Sequence, residues 1–449
     1  MSQELYDYGD RQIETGLFGN APKAQGISVS FNERSGHSKN ALFTESFDTW
    51  PPQGWTITQL GGAAGNWQQS TDTYAGAGSA FHGWAHQSFD SWLVSPAITI
   101  PAGEEYMLSF WEKNQYMGSW YDYSGVLIST GSNSPGHENF IEAYESNSSI
   151  STYTQKFIDL SAYAGQTIYI AFVYRGNDAH NWWVDEVQIS EKRYHYRTRQ
   201  TGTQNWGTAA SWEIFDYNTG NWRNATAADG YPGQNPGTGT VTIQNNHNIT
   251  LNVSPQHAIE NLEFNSGGTS TTLSFQAENS LIILNDLVIN TNTSNNRNRS
   301  VDIGNGTLTV SDVYVYSDGG TDSRDSFILI NNGTLNVSGN VTMNSTGART
   351  YIRFTGNGTL NVGGTITGGN ITSNNGGHNT NGPNSGTVNY NHAGDQQVGN
   401  YTYHNLAISG GGRKSLQGNT TVSNNFYLTV DCSPWAITTL PLPTTRPMP

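Results

Sequence analysis

The sequence predicts an all-β protein in which a β-sandwich is followed by a right-handed parallel β-solenoid. Three observations lead to this fold class. Short apolar runs are separated throughout by Gly, Asn, Thr and Ser, and only 12% of the residues are charged. Aromatic residues are concentrated early, since nine of the 13 Trp precede residue 191. Between residues 279 and 365 the chain repeats itself at intervals near 25 residues.

Length and charge restrict the class of protein further. A chain of 449 residues is long enough for two or three domains. The net charge is −15, and residues 1–190 carry 20 Asp and Glu against 7 Lys and Arg. This acidic half argues against a nucleic-acid partner and is compatible with bound Ca²⁺, which takes oxygen ligands. The single cysteine, Cys432, excludes an intrachain disulfide and a Cys-based zinc site.

Residues 1–42 are polar and weakly patterned, and we interpret them as an N-terminal arm. The arm could serve as a donor strand to a neighbouring chain. It begins Met-Ser-Gln-Glu-Leu-Tyr, without the basic and apolar regions of a signal peptide. No apolar run approaches 18 residues, so no transmembrane helix and no membrane insertion are expected.

Residues 43–190 are predicted to form the sandwich, with a jelly-roll arrangement of many short strands. The run from Thr167 to Tyr174 alternates with a period of two and has bulky groups on both faces. Further strand-like runs lie at Tyr106–Trp111, Gly125–Ser129 and Trp182–Ile189. Turns rich in Gly, Ser and Asn separate them, which is typical of a sandwich or jelly roll.

Five segments in this block, taken in order, resemble the cleaved-adhesin or choice-of-anchor J type of domain. They are Phe43-Thr-Glu-Ser-Phe-Asp48, Pro52-Gln-Gly-Trp-Thr56, Asp90-Ser-Trp-Leu-Val-Ser-Pro96, Leu108-Ser-Phe-Trp111 and Trp183-Val-Asp-Glu-Val-Gln-Ile189. Such domains are MAM-like β-sandwiches found in the adhesin regions of gingipains. The resemblance covers about a third of the chain and implies an extracellular adhesin.

The same resemblance implies that acidic residues of the opening and closing segments hold Ca²⁺. Glu45 and Asp185 are the first choices as metal ligands, followed by Asp48 and Asp90. The first and last strands of a sandwich can be neighbours, and opposed carboxylates need a cation to lie close together. The alternative is that these are ordinary surface carboxylates or caps.

Aromatic residues in polar, Gly-rich stretches predict a second kind of site. An exposed indole stacks on the apolar face of a sugar ring, and nearby Asn or Asp groups bind hydroxyls. The predicted ligand-binding residues are Trp84, Trp120, Tyr121, Tyr123 and Trp182. Alternation requires that one of the adjacent pair Trp182 and Trp183 points inward. The alternative is that these rings pack in the core.

Residues 191–237 are predicted to be a junction, and residues 238–430 to be the parallel β-helix repeats. The motif Asn-Gly-Thr-Leu begins at residues 305, 332 and 357, at intervals of 27 and 25. About three short strands and three turns fit one such coil, and stacked coils bury a shared apolar column. We therefore expect Leu308, Leu335 and Leu360 to lie one above the next. The pattern resembles the Gly/Asn/Thr-rich stalks of bacterial surface proteins that use type IX secretion.

The last segment, residues 431–449, is a Pro-rich tail, and Pro cannot serve a central strand. No C-terminal sorting domain is recognisable there. One acidic loop interrupts the repeats and holds the single local cluster of carboxylates with a basic residue in this half, formed by Asp318, Asp322, Arg324 and Asp325.

The sequence therefore predicts a secreted or cell-surface adhesin or structural protein without catalytic residues. The sandwich would bind glycans or surface proteins, and the solenoid would be a rigid spacer that could self-associate into a fibre through its open ends. The alternative is a polysaccharide lyase or hydrolase with a β-helix catalytic domain, which needs convergent carboxylates in a groove. No standard catalytic signature is present.

Overall fold

The computed structural model describes residues 41–62, 67–265, 270–291, 298–317, 325–345, 349–373 and 383–429. The predicted tail lies outside these ranges, as does the predicted arm except for its last two residues. The chain divides into two compact units. The first comprises Met1–Gly103, Leu108–Gln155 and Tyr163–Glu191, and the second Glu104–Met107, Lys156–Ala162 and Lys192–Pro449. Strands dominate, and the described ranges contain no α-helix, only 3₁₀ turns at Ser161–Tyr163 and Ala209–Ser211.

The sandwich is built from two antiparallel sheets. Its strands are β1 Ala41–Glu45, β2 Thr56–Gly62, β3 Trp67–Ser70, β4 Ser79–His82, β5 Ser88–Val94, β6 Ile98–Thr99, β7 Tyr106–Gln115, β8 Tyr123–Ser129, β9 Ile141–Glu145, β10 Thr154–Asp159, β11 Thr167–Asn177 and β12 Asn181–Glu191. One sheet has the order β10-β7-β12-β4-β3, with β1 also paired to β12, and the other β2-β5-β11-β8-β9, with β6 also paired to β11.

Alternating residues of the two sheets meet in an aromatic core. Phe172 of β11 lies edge-on to Phe110 of β7, with ring centroids 5.3 Å apart, and 6.0 Å from the ring of Trp182 on β12. All three side chains are fully buried. Burial of such large rings supplies much of the driving force for closing the two sheets. The predicted sandwich is thus confirmed.

The first and last strands of the sandwich are neighbours, as the sequence predicts. Strand β1 pairs antiparallel with β12, and Glu45 lies opposite Val187. Asp185 lies on the same strand, two residues before Val187. The opening and closing acidic segments are therefore close together in one sheet.

The second unit consists mainly of parallel strands. Its strands are β13 Tyr194–Thr198, β14 Gly202–Asn205, β15 Trp212–Asp216, β16 Asn221–Asn224, β17 Thr238–Ile243, β18 His247–Leu251, β19 Asn261–Phe264, β20 Thr271–Phe275, β21 Ser280–Thr291, β22 Arg299–Asp302, β23 Thr307–Ser317, β24 Asp325–Ile330, β25 Thr334–Val337, β26 Val341–Ser345, β27 Arg349–Phe354, β28 Thr359–Val362, β29 Ile366–Thr367, β30 Asn370–Thr372, β31 Thr387–Tyr390, β32 Gln396–Val398, β33 Thr402–Tyr403, β34 Asn405–Ile408, β35 Lys414–Leu416, β36 Thr421–Val422 and β37 Phe426–Leu428.

Two long sheets run through this unit in chain order. One has the order β16-β15-β13-β17-β19-β21-β23-β25-β28-β31-β34-β37, with β26 and β29 attached through β23, and the other β14-β18-β20-β22-β24-β27-β30. From β17 onward every described pairing within these sheets is parallel. The parallel repeats are as the sequence predicts, whereas the right-handed coil stays a prediction.

The predicted apolar column is confirmed. Leu308 pairs in register with Leu335, and Leu335 with Leu360. All three are fully buried, and alternate residues of each strand join one apolar cluster along the unit. Each strand buries one face only, which is why its neighbours in the sheet are needed for stability.

Polar residues on the opposite face of the same strands form a ladder. The Asn361 amide nitrogen donates to Asn336 Oδ1 at 2.9 Å, and Asn389 donates to Asn361 Oδ1 at 2.9 Å. Asn336 donates in turn to Thr309 Oγ1 at 3.3 Å. These bonds connect four successive strands and fix their register.

Residues 191–237, predicted as a junction, contain four strands and the start of this core. Trp206 and Trp212 are fully buried with ring centroids 4.9 Å apart. Trp206 Nε1 donates to Pro232 O at 2.9 Å, and Trp212 Nε1 donates to Trp206 O at 2.8 Å. The loop that begins at Tyr231 thus covers the first end of the apolar cluster.

The other end of the described core is open. Leu406 and Ile408 are buried, but their register partners Phe426 and Leu428 on β37 are 46% and 40% exposed. Alternation on β37 continues the apolar column, and no later strand among the described residues covers it.

Candidate functional site

Two of the predicted metal ligands hold one loop of the sandwich, residues 71–78 between β3 and β4. Asp185 Oδ2 accepts hydrogen bonds from Tyr74 N at 2.7 Å and Ala75 N at 3.2 Å, and its Oδ1 accepts from Glu186 N at 2.8 Å. Asp48 Oδ1 accepts from Gly78 N at 3.0 Å and also from the adjacent Ala77 N.

A glycine is required at position 76 in this loop. Its φ of +66° is unfavourable for residues with a side chain, and a Cβ there would lie 2.4 Å from Asp48 Oδ1. The loop therefore passes close to the carboxylate, and both acidic residues act on its backbone.

The charge of these carboxylates is only partly compensated. Burial raises the pKa of Asp185 to about 7, although three backbone N–H groups lower it. Burial also raises the pKa of Glu45, whose Oε1 accepts from Phe47 N at 2.8 Å, and the nearby Asp48 charge raises it further. Buried carboxylates with raised pKa values favour an added cation. The oxygen donors of Glu45, Asp48 and Asp185 suit Ca²⁺ chemically, but in the described ranges no three His, Cys, Asp or Glu side chains form a ready metal-binding group.

The structure corrects the prediction for Asp90. This residue lies on β5 in the other sheet, opposite Arg175 in register, and its Oδ1 accepts from Trp92 Nε1 at 2.7 Å. It therefore orients an indole in the core and lies in a different sheet from the strands that carry Glu45 and Asp185.

Three loops meet at one end of the sandwich, residues 83–87, 116–122 and 178–180. Trp84 N donates to Asn181 Oδ1 at 2.8 Å, and Asp178 N donates to Ala85 O at 3.0 Å. Asn177 N donates to Asp122 Oδ2 at 2.8 Å. The third loop and the strand residues on either side of it thus hold the other two loops in place.

These loops present exposed aromatic rings, which we name the aromatic platform, formed by Trp84, Tyr116, Trp120 and Tyr121. Trp84 is 44% exposed, Trp120 54% and Tyr116 57%. Tyr116 adopts a φ of +65°, which is strained for a bulky residue and typical of functional loops. Tyr116 was missed in the sequence, although it shares the Gly-containing stretch of Trp120.

Two of the predicted ligand-binding residues are corrected. Trp182 is fully buried between the sheets and donates its Nε1 hydrogen to Glu112 Oε2 at 2.8 Å. Tyr123 is 8% exposed, beneath the guanidinium of Arg175, and donates to Glu142 Oε2 at 2.7 Å. In both cases alternation along a strand turns the ring away from solvent. Tyr121 is half-buried and donates to Glu145 Oε1 at 2.6 Å.

Two buried histidines lie beneath the platform. The ring of His82 stacks on Tyr174 at 3.8 Å, and His180 lies 5.0 Å from the same ring and 5.2 Å from Tyr121. His180 Nε2 contacts Ser124 Oγ at 3.0 Å, whereas His82 Nε2 and His180 Nδ1 have no hydrogen-bond partner among the described residues. Burial lowers the pKa of His82 to about 3 and of His180 to about 4, so both rings are neutral.

A second aromatic cluster lies on the outer face of the sheet that contains β7. The rings of Tyr74 and Trp111 stack with centroids 3.6 Å apart and an interplanar angle of 10°. The ring of Tyr153 lies edge-on to that of Tyr74, with centroids 6.2 Å apart. Lys113 places its ammonium 4.7 Å from the Trp183 ring. Trp183 is therefore the outward member of the Trp pair. Alternation around Phe110 would have located Trp111, but not the loop residue that covers it.

The acidic cluster predicted on the repeats falls mainly outside the described residues. Only Asp325 is described, and it is 4% exposed. It accepts from Arg349 Nε at 2.7 Å and from Tyr351 OH at 3.1 Å. These contacts hold Asp325 as a structural ion pair between neighbouring strands.

Comparison with known proteins finds relatives of part of the chain. No protein-family model matches. Hemagglutinin A of Porphyromonas gingivalis strain W83 is 29% identical over 198 residues, which is 37% of this chain and 9% of that protein. Bacillopeptidase F of Bacillus subtilis is 28% identical over 169 residues, 34% of this chain and 11% of the relative. The chain thus spans about a tenth of the length of these relatives.

Solved structures cover the same fraction of the chain. The K1 cleaved adhesin domain of Lys-gingipain from P. gingivalis W83 is 22% identical, covers 33% of this chain and 98% of its own, and has a TM-score of 0.28. The xylan-binding CBM22-1 domain of Paenibacillus barcinonensis is 13% identical, covers 35% and 97%, and has a TM-score of 0.23. Within the described ranges, no helix is long and apolar enough to cross a membrane. The predicted resemblance to the cleaved-adhesin type of domain is confirmed by the match to hemagglutinin A.

Proposed function

We propose that this chain, which contains a cleaved-adhesin-like domain, is a bacterial surface adhesin that binds glycan through the aromatic platform of its sandwich. The observation that carries the proposal is the set of rings held out to solvent by loops that are hydrogen-bonded to residues 177–181, with Trp84, Tyr116 and Trp120 between 44% and 57% exposed. Exposed indole and phenol rings stack on sugar faces, and the flanking amides and carboxylates accept hydroxyl hydrogens. The name hemagglutinin A supports a role at a cell surface.

A binding experiment tests the proposal. The full chain is applied to a glycan array and compared with Trp120→Ala and with Tyr163→Ala, a matched control on the 3₁₀ turn between β10 and β11. Loss of a stacking ring should weaken binding about tenfold or more in Trp120→Ala and not in the control. Equal binding by all three proteins contradicts the platform.

The rival function, a polysaccharide lyase or hydrolase, is tested alongside. A reducing-end release assay on the bound glycans should give no product above buffer. Product release would replace the adhesin with the enzyme. The outward faces of the parallel strands favour binding over catalysis, because Thr and Asn residues such as Thr334, Asn336 and Asn361 occupy them in place of convergent carboxylates.

We also propose that the second unit is a right-handed β-solenoid that serves as a stiff spacer. The parallel register, the buried leucine column and the Asn361 ladder support it. The exposed Phe426 and Leu428 at the end of the described core support self-association into fibres, which electron microscopy of the purified chain tests. Export by type IX secretion belongs to the same proposal.

Ca²⁺ is proposed to steady the 71–78 loop through Glu45, Asp48 and Asp185. The raised pKa of Asp185 supports a cation there, because a buried negative charge is stabilised by a positive one. Added Ca²⁺ should raise the melting temperature at pH 7.5, and EDTA should reverse the rise. The shift should be absent in Asp185→Asn and retained in Asp90→Asn. An identical melting temperature with Ca²⁺ and with EDTA would remove the ion site.

A further inference from the structure

The loops that carry the aromatic platform are acidic. Residues 83–87, 116–122 and 178–180 contain Asp122 and Asp178 but neither Lys nor Arg. Glu145 reaches the platform through the hydroxyl of Tyr121, at 2.6 Å. In the strand before the third loop, the Arg175 guanidinium lies 4.2 Å from the ring centroid of the buried Tyr123 and packs on that ring. The rings are therefore bordered by carboxylates.

The rest of the sandwich is also negatively charged. Between residues 41 and 190 the chain has 15 Asp and Glu against three Lys and Arg. Of the three, Lys113 is taken up by the carboxylate of Asp72. A ligand that approaches the platform thus meets a negative potential, which attracts cations and repels anions before contact.

The contacts of Asp178 indicate how the aromatic platform would bind a nitrogen cation. Its side chain is 35% exposed, and Oδ1 lies 3.1 Å from Nδ1 of His86, which is itself 78% exposed. The His86 ring lies 5.1 Å from the ring of Trp84. A nitrogen base thus already stands between a carboxylate and an indole. An ammonium group fits the same pair of partners, because the indole face attracts cations and the carboxylate pairs with them.

We propose that the aromatic platform selects glycans that carry free amino groups, such as glucosamine-type residues, and rejects glycans that carry carboxylates. The proposal rests on the proposed glycan-binding function and names the class of ligand. The rings bind the sugar faces, and Asp178 and Asp122 bind the ammonium groups. One elementary charge at about 4 Å in water changes a binding constant by about fivefold, so two such pairs give a preference of about 10- to 25-fold.

The test compares three oligosaccharide probes on the full chain at pH 6 and low salt. Fully deacetylated chitohexaose carries amines, chitohexaose carries the same backbone with neutral acetamides, and hexagalacturonate carries carboxylates. We expect the amine probe to bind about 10- to 25-fold more tightly than the acetamide probe. We expect hexagalacturonate to bind least. The preference should shrink toward unity at about 0.5 M salt, where the Debye length is only a few ångströms.

Variants of the carboxylates provide the second arm. Asp178→Asn should reduce the preference for the amine probe over the acetamide probe about fivefold, because it removes one of the two carboxylates that bind the ammonium groups. This variant should fold, because Asn tolerates the φ of +58° that Asp178 adopts. Glu138→Gln, an exposed acid in the loop between β8 and β9, is the matched control and should keep the full preference.

The outcomes distinguish failure of the selection for amines from failure of the proposed glycan binding. Equal binding of the amine and acetamide probes, with Trp120→Ala defective for both, overturns the charge selection and retains the glycan site. Tighter binding of hexagalacturonate also overturns it. Binding of other glycans on the array but of none of the three probes overturns the selection for amines and retains the glycan site, whereas no binding of any glycan overturns both proposals. Binding of a lysine-rich peptide in place of all three sugars overturns both in favour of a protein ligand.

Discussion

The environment of single side chains decides what happens when the pH falls. His82 and His180 are fully buried, and each keeps one ring nitrogen without a hydrogen-bond partner among the described residues. Tyr174 lies between them, Tyr121 and Ser124 cover His180, and Trp67 and Phe89 flank His82. Among the described residues, the charge of Asp122 favours the protonated form of His180, but burial outweighs it and lowers the pKa. A proton on either ring would thus be a buried charge with little compensation.

We predict that the sandwich loses stability in acid because of these rings. Their pKa values in the folded protein, about 3 and about 4, lie below the ordinary 6.5. The unfolded chain therefore binds protons first, so the stability they contribute is complete above pH 6.5 and is lost as the pH falls toward 4. For His180 the loss is about 2–3 kcal/mol. Urea unfolding followed by Trp fluorescence between pH 7 and 4 measures it.

The control for this prediction separates it from other titrations. Asp185 has a raised pKa, so its contribution changes in the opposite direction over the same pH range. The difference between the wild-type protein and His180→Gln cancels that contribution and should fall with pH. A His180→Gln difference that does not vary with pH would contradict the prediction.

The predictability of site residues also differs from one residue to the next. Trp84 and Trp120 are exposed, as their short polar, Gly-rich stretches indicate, whereas their binding role stays a prediction. Trp182 was misplaced because alternation alone cannot say which of two adjacent Trp faces the core. Asp90 was grouped by its family-like motif, whereas only the sheet pairing separates it from Asp185.

At the scale of strands, the repeated motif determines which residues are buried. The Leu of each Asn-Gly-Thr-Leu segment points into the core, and the Thr before it lies at the half-buried outer face. The period of the motif made this predictable, because parallel strands in register place equal positions side by side. The sequence indicates that Asn side chains could form such a ladder. It does not indicate which of them bond to one another, because the bonds of Asn361 depend on the register of three strands at once.

We predict that Leu335→Ala costs about 2–5 kcal/mol of unfolding free energy, because it leaves a cavity between Leu308 and Leu360. The adjacent Thr334→Ala removes an outer side chain and should cost about 1 kcal/mol or less. Urea unfolding of the two variants gives the comparison. Similar losses for both would contradict the one-sided burial of β25.

At the scale of the whole molecule, charge determines which partners are excluded. The net charge of −15 and the isoelectric point near 5.0 repel polyanions at neutral pH. Composition alone was sufficient for this conclusion. Composition could not show that loops about 30 and 60 residues apart in the chain meet at one end of the sandwich, because that follows from the strand order.

We predict that the full chain does not bind double-stranded DNA at about 50 mM salt, where electrostatic attraction is strongest. Fluorescence anisotropy of a labelled duplex of about 30 base pairs measures this, with a lysine-rich peptide as the positive control. Binding that weakens with added salt would show a basic surface that the charge balance does not reveal.

The parallel pairing of successive strands in the second unit affects how this unit responds to force. The hydrogen bonds between β25 and β28 run across the strands, from one repeat to the next. Tension applied in that direction breaks the hydrogen bonds between one pair of strands before those of the next. The repeats therefore unfold one at a time. Each released repeat of 25 residues adds about 80 Å of slack. In the proposed role as a spacer, this unit would therefore lengthen in steps under tension and not fail all at once.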